Sequence, residues 1–207
     1  MSFCVVVGAG DFFGLDEQPG ERDLVIAADG GYRHLMGISL RPDIIIGDFD
    51  SAERPEQEGA ELILLPKEKD ETDTAAAVRV GEKRGYWNFH IYGGTGGRMA
   101  HTMANIQLMT HLAEKGKFGY LHDKETIATV IRNTRLELPK KNEGYVSVFA
   151  LSDLAQGVSL RGLKYELEQE RLNNAWPLGV SNEFSGRRAS VEVRDGTLLV
   201  IWSKDGS

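Results

Sequence analysis

The sequence predicts an α/β protein in two parts, a larger N-terminal domain on a largely parallel sheet and a smaller all-β domain behind it. Three observations predict this. Up to about Asp123 short apolar runs alternate with helical patterns, the signature of strand–helix units. The runs end in glycine-rich or acidic loops, which then gather at the carboxyl edge of the sheet, where open α/β sheets bind ligands. Beyond Asp123 the strand-like runs continue while the helical patterns thin out. The expected domains are residues 1–124, Rossmann-like, and residues 125–207, an all-β sandwich.

Phe3 to Val7 reads as a buried strand ending in Gly8-Ala9-Gly10, and Leu24 to Ala28 as a second ending in Asp29-Gly30-Gly31. Asp43 to Ile46 is the third, Glu61 to Leu65 the fourth, and a fifth ends at His90 to Tyr92. Helices are expected over Gly31 to Met36, Thr72 to Arg84 and Arg98 to Lys115. In the second part, strands are expected at Thr126 to Ile131, Arg135 to Leu138, Tyr145 to Leu151, Val158 to Leu163, Ala189 to Arg194 and Thr197 to Trp202. The last two flank Asp195-Gly196, a type I′ hairpin signal.

Pro42 to Ser51, PDIIIGDFDS, is the stretch around which the chain is organised. Its β-branched run suits a strand buried on both faces, and Gly47 permits a sharp turn at the end. Asp48 and Asp50 then alternate with Phe49, so an extended backbone points both acids one way. Two like charges this close repel unless a cation sits between them, and a hard divalent ion such as Mg²⁺ takes carboxylates together with phosphate oxygens. The competing reading is a solvated acidic turn with Asp50 or Ser51 capping a helix.

Lys69-Asp70-Glu71-Thr72-Asp73 opens the next clear helix, and residues three apart in a first turn share a face, which presents Asp70 and Asp73 together. With Asp48 and Asp50 they make four carboxylates at one sheet edge, an arrangement that a metal and polyphosphate site explains. Gly93-Gly94-Thr95-Gly96-Gly97 leads into Arg98 and the following helix, and glycines between a strand and a helix let backbone N–H groups approach an anion. No Gly-Lys-Ser/Thr follows, so it is not a Walker A loop. At helical spacing Arg98, Thr102 and Asn105 share a polar face, while Met99, Met103 and Ile106 share one that reads as core. Arg98 can grip phosphate bidentately and His101 can donate to phosphate or ribose.

The composition narrows the function further. Among 207 residues, 31 acidic against 24 basic give a net charge of −7, which argues against a nucleic-acid or anionic-membrane surface. No run is long enough to span a bilayer, no signal peptide is evident at the start, and the lone Cys4 lies in an apolar run, so a cytoplasmic protein with a core cysteine is expected. The histidines stand at no zinc-ligand spacing and no nucleophile elbow occurs.

Asp29-Gly30-Gly31, PDIIIGDFDS, KDETDT and GGTGGRMAHTMANI, in this order, resemble the thiamine pyrophosphokinase family, and GLKYELE with VSNEF resembles its thiamine-binding domain. The resemblance implies an enzyme that transfers the pyrophosphoryl group of ATP to thiamine, giving thiamine diphosphate and AMP. It implies Mg²⁺ held by Asp48, Asp50 and Asp73, with Asp70 and Arg98 also at the transferring group. Nucleotide contacts are implied for Asp29, Gly30, Gly94, Thr95, Gly96, Gly97 and His101, and thiamine contacts for Tyr165, Ser181 and Asn182. A homodimer whose β domain completes the partner's site is implied too. Trp176 and Trp202 read as ordinary packing of the β domain. The chain departs from the family pattern at Ala100, where an Asp commonly precedes the His. A related pyrophosphokinase acting on a hydroxymethylpterin alcohol, and a nucleotide or thiamine diphosphate sensor without turnover, are the alternatives.

Overall fold

In the computed structural model, which describes residues 2–48, 59–66, 68 and 70–204, the chain separates into two compact units. Met1–Leu108 with Gly119–Lys124 form one, and Met109–Phe118 with Glu125–Ser207 form the other.

The first unit holds strands β1 (Cys4–Val7), β2 (Leu24–Ala28), β3 (Ile44–Gly47), β4 (Glu61–Leu64), β5 (Asn88–Tyr92) and β6 (Phe118–His122). Helices α1 (Gly31–Gly37) and α2 (Asp73–Lys83) lie between strands, and α3 (Met99–Glu114) follows β5. Strand order is β6-β5-β1-β2-β3-β4, and β1 pairs in parallel with both β2 and β5, as β3 does with β2 and β4. Every position of β1, β2 and β3 is buried, so their sequences are apolar throughout rather than alternating, as expected for a sheet covered on both faces. Val5, Val7, Val25, Ala27 and Ile45 pack with Leu35 of α1 on one face. On the other, α2 approaches so closely that a Cβ at Gly81 would lie 2.7 Å from the Phe89 ring and 2.9 Å from Cys4 Sγ. Cys4 is a core residue, and burial pushes its thiol far above the usual range.

From β1 the chain builds outward through β2, β3 and β4 and then returns to lay β5 on the other side of β1. The direction of winding therefore reverses between β1 and β5, and a crevice opens at their carboxyl ends. No side chain fits there. A Cβ at Gly8 would stand 2.8 Å from the Gly93 carbonyl oxygen, one at Gly10 would stand 2.4 Å from that of Thr95, and Gly93 itself has φ +60°.

The second unit holds β7 (Thr126–Arg132), β8 (Arg135–Leu138), β9 (Tyr145–Ala150), β10 (Leu154–Arg161), β11 (Leu167–Asn173), β12 (Gly179–Glu183), β13 (Ala189–Glu192) and β14 (Thr197–Ser203). They form two antiparallel rows, β12-β9-β14-β7 and β11-β10-β13-β8. Val146, Val148, Leu160, Val191, Leu198 and Val200 are among the buried side chains they supply. No helix of the described residues is long and apolar enough to cross a membrane.

Several expectations need correction. Asp195-Gly196 does not turn a hairpin, because β13 pairs with β8 and β10 while β14 pairs with β7 and β9. Asp195 instead exchanges backbone hydrogen bonds with Gln156, and Gly196, at φ +120°, has Ala155 Cα 2.8 Å from where a Cβ would stand. The loop is held against β10 while the chain passes from one row to the other. The apolar face of α3 is also not Met99, Met103 and Ile106, since Met99 and Met103 are exposed and the helix buries Asn105, Met109 and Leu112. Trp202 is packed as expected, but Trp176 is 71% exposed and contributes little to the core.

Candidate active site

The loop after β5 is held from behind. Gly93 O accepts from Gly10 N–H at 2.8 Å, Thr95 O from Asp11 N–H at 3.0 Å, and Gly94 O from the buried Asn105 Nδ2 at 2.7 Å. Thr95 Oγ1 donates to Asp123 at 2.7 Å. The β1 loop is braced in turn by His34 of α1, whose Nε2 lies 2.9 Å from Gly10 O. Gly93, Gly96 and Gly97 all have positive φ, which a β-carbon would strain.

A cavity of about 540 Å³ opens on this loop, lined also by Ala9, Gly10, Asp29, Asp48, and Glu71 to Thr74. Asp48 arrives at the end of β3 and Asp73 at the start of α2, two elements the sheet brings to one edge. Asp29, at φ +51°, sits in the left-handed region at the end of β2, and its amide donates to Ile46 O at 2.8 Å. Thr72 caps α2 by accepting from Ala75 N–H at 3.2 Å, so the helix begins at Asp73. That displaces Asp70. It precedes the cap, is exposed, does not line the cavity, and shares no first turn with Asp73. Glu71 lines the cavity and pairs with Arg79.

Of the nucleotide candidates, Asp29, Gly94, Thr95, Gly96, Gly97 and His101 line the cavity, and Arg98 joins them, whereas Gly30 does not. Gly30 precedes α1, where a Cβ would lie 3.0 Å from that of Ala9. Asp50 lies outside the described residues. Ala100 is exposed and does not line the cavity. Sequence reasoning missed Gly10, Glu71 and Thr74 as lining residues, while Asn105, expected on the polar face of the helix with Arg98, does line the cavity. Each stands within or beside a motif already singled out, so the signal was adjacency, and only the crossing of β1 past β5 turns adjacency into a shared wall.

Among the described residues no group of three or more His, Cys, Asp or Glu side chains is placed to hold a metal alone. Asp48 and Asp73 nevertheless line the same cavity as the glycine loop, which fits an ion that takes two carboxylates and completes its shell with phosphate oxygens and water.

In the second unit the thiamine candidates form a local clasp. Asn182 is buried, its Oδ1 accepts from Tyr165 N–H at 3.0 Å and its Nδ2 donates to Tyr165 O at 2.6 Å. Most of its hydrogen-bonding capacity is therefore committed to holding the Tyr165 backbone. That leaves the Tyr165 ring 58% exposed, with Lys164 Nζ 5.4 Å from its centroid. Ser181 takes φ +58°, and its amide donates to Ser147 Oγ at 3.1 Å. Trp176, Leu178 and Val180 are exposed beside it in sequence.

Comparisons with known proteins converge. A family model described as "Thiamin pyrophosphokinase, catalytic domain" matches residues 18–118, and one described as "Thiamin pyrophosphokinase, vitamin B1 binding domain" matches residues 133–198. The thiamine pyrophosphokinase of Bacillus subtilis (strain 168) is 29% identical over 191 residues, covering 89% of each chain. Thiamin pyrophosphokinase 1 of Caenorhabditis elegans is 26% identical over 192 residues, 85% of this chain and 77% of the relative. Among solved structures, a thiamin pyrophosphokinase family protein from Enterococcus faecalis is 30% identical, with a TM-score of 0.83 over 98% of this chain and 99% of its own. The Bacillus subtilis thiamine pyrophosphokinase structure gives a TM-score of 0.87 at 27% identity over 98% of this chain and 99% of that one.

Proposed function

This chain belongs to the thiamin pyrophosphokinase family, and from that premise we propose how its cavity performs thiamine diphosphokinase chemistry. The enzyme transfers the pyrophosphoryl group of ATP to the hydroxyethyl oxygen of thiamine, giving thiamine diphosphate and AMP. The observation that carries the reading is one cavity lined together by a glycine loop, Arg98, Asp48 and Asp73. Residues 1–124, read as a Rossmann-like domain, bind the nucleotide, and residues 125–207, read as a β-sandwich, bind thiamine.

The polyphosphate lies along Gly94 to Gly97, where backbone N–H groups and the start of α3 favour an anion. Arg98 binds phosphate oxygens, and Asp29 and His101 take the nucleoside. Asp48 and Asp73, with Asp50, would hold Mg²⁺, which would supply neutralisation of the phosphate charge. The thiamine oxygen forms a bond to the β-phosphorus as the bond from that phosphorus to the α–β bridging oxygen breaks, and AMP leaves. The hydroxyl proton passes to a carboxylate, for which Asp73, at the start of α2, is the candidate. Tyr165 offers an exposed ring to the vitamin, and Ser181 and Asn182 shape the loop that carries it. The vitamin B1 binding model over residues 133–198 favours thiamine over a pterin alcohol. The expected setting is the cytoplasm and the expected assembly a homodimer.

The test is production of AMP from ATP, followed by chromatography with and without thiamine. AMP that depends on thiamine, with matching thiamine diphosphate, is the expected result. ADP as the product, or AMP release indifferent to thiamine, overturns the reading.

A further inference from the structure

The glycine loop is held in its shape by hydrogen bonds with groups outside it. The carbonyls of Gly93, Gly94 and Thr95 are all held on the protein side, by Gly10 N–H, Asn105 Nδ2 and Asp11 N–H. A peptide is planar and trans, so a carbonyl drawn one way turns the next N–H the opposite way. The N–H groups that follow belong to Gly94, Thr95 and Gly96, which line the cavity, and among the described residues no backbone acceptor takes them. Two of the holding contacts come from the backbone of the β1 loop and cannot be varied by sequence. The other two come from side chains, Asn105 to Gly94 O and Asp123 to the Thr95 hydroxyl. Asn105 is only 5% exposed, although it is a polar residue on a helix whose neighbouring buried positions are Met109 and Leu112. A buried amide in such surroundings is tolerated only where its hydrogen bonds are made, and this one is made to the loop.

We propose that Asn105 and Asp123 are positioning residues that lock the Gly94-Thr95-Gly96 peptides in their anion-facing orientation before substrate arrives, and so set affinity for the polyphosphate end of the nucleotide. The inference rests on the reading of the cavity as the ATP site. It differs from a packing role in what it predicts: the side chain of Thr95 serves Asp123, and the ligand meets the backbone. Prepaid orientation of donors lowers the ordering cost of binding a charged group.

The experiment is steady-state kinetics on the intact enzyme with ATP and thiamine varied separately, together with calorimetric titration of inorganic pyrophosphate. The variants are Asn105→Leu, which removes the donor at similar volume, Thr95→Val, which removes the hydroxyl at constant shape, and Thr95→Ser, which keeps it. Asn105→Leu and Thr95→Val are expected to raise the KM for ATP and weaken pyrophosphate binding by about tenfold or more, with the KM for thiamine within about twofold of wild type. Thr95→Ser, which keeps the hydroxyl, is expected to recover most of the ATP KM and pyrophosphate affinity that Thr95→Val loses. Equal change in both KM values, or loss of thermal stability with an unchanged KM for ATP, overturns the proposal. If Asn105→Leu does not fold, the Thr95→Val and Thr95→Ser pair decides alone, since equal behaviour of the two refutes it. Wild-type enzyme that neither binds pyrophosphate nor forms AMP would refute the ATP-site reading instead.

Discussion

At the scale of single residues, charge and burial divide the site from the scaffold. Asp48 and Asp73 stand where like charges gather in front of a glycine loop, so each neutral replacement removes charge that a metal and a polyphosphate require. Asp48→Asn and Asp73→Asn are each expected to lower kcat/KM at least about 100-fold while far-UV circular dichroism and cooperative unfolding persist. Near-normal turnover of either variant at limiting Mg²⁺ would remove it from the site. His90 is a scaffold residue of a different kind. Its Nδ1 lies 3.0 Å from His122 Nε2, and His122 Nδ1 lies 2.6 Å from Asp16, with the Tyr92 ring stacked on His122 and the Tyr120 ring tilted against His90. Burial first, and the neighbouring His122 second, push its pKa down from 6.5 to about 4. The unfolded chain therefore binds the proton first as pH falls. The contribution of neutral His90 is complete above about pH 6.5 and is lost progressively as the pH drops towards 4, amounting to on the order of 3 kcal/mol. Urea titrations from pH 7 to pH 4 should show wild type losing stability more steeply than His90→Asn over that window. Parallel curves would mean His90 titrates normally.

At the scale of elements, strands buried on both faces were legible, and two of the exposed edge strands were not. β1, β2 and β3 announce themselves as apolar runs because every position is covered. Strands β11 and β12 read LEQERLN and GVSNE, are largely exposed, and end their rows, so backbone pairing makes them strands without an apolar signal. β6 was hidden for another reason, since FGYLH breaks its apolar run with a glycine and a histidine that are buried by contacts from elsewhere in the sequence. Helix α2 carries a prediction of its own. Gly81 costs the helix about 1 kcal/mol in propensity, yet a Cβ there would meet Phe89 and Cys4 at 2.7 and 2.9 Å, and both of those side chains are fully buried. Gly81→Ala is accordingly expected to destabilise the protein by about 1 kcal/mol or more in equilibrium unfolding, overpacking outweighing the gain in helix propensity. A more stable variant would show that α2 can move off the sheet at little cost.

At the scale of the whole molecule, the two matched models assign the catalytic domain and vitamin B1 binding to different parts of the chain. Exposed Tyr165, Trp176, Leu178 and Val180 are an apolar surface of the kind that oligomers cover. For a homodimer with shared sites, Asp50→Asn and Asn182→Ala are each expected to be nearly inactive alone and to regain activity when mixed and allowed to exchange subunits. One site of the mixed dimer then carries both lesions and the other neither, so recovery approaching half of wild type per exchanged dimer is the limit. Exchange is confirmed by native mass measurement on differently tagged chains, and exchange without recovered activity places each site within one subunit.

What the sequence by itself determined is whatever depends on neighbours along the chain. Apolar runs without alternation specified β1 to β3, Thr72 three residues before Ala75 specified the start of α2, and glycines between β5 and α3 specified a loop open to an anion. Tertiary structure alone decided which of those local features meet. The reversal of winding at β1 brings Gly10 and Asp11 under the glycine loop, places Asp48 and Asp73 in one cavity with Arg98, and leaves Asp70 and Gly30 out of its lining. It also overruled local signals: the loop at Asp195-Gly196 joins different rows because its backbone groups pair with Gln156, and α3 buries Asn105 rather than Met99 because Gly94 O needs a donor. Both reversals have the same physical cause. A buried backbone carbonyl or N–H must find a partner, and the partner's position is set by the strand that packs beside it, which no local pattern records.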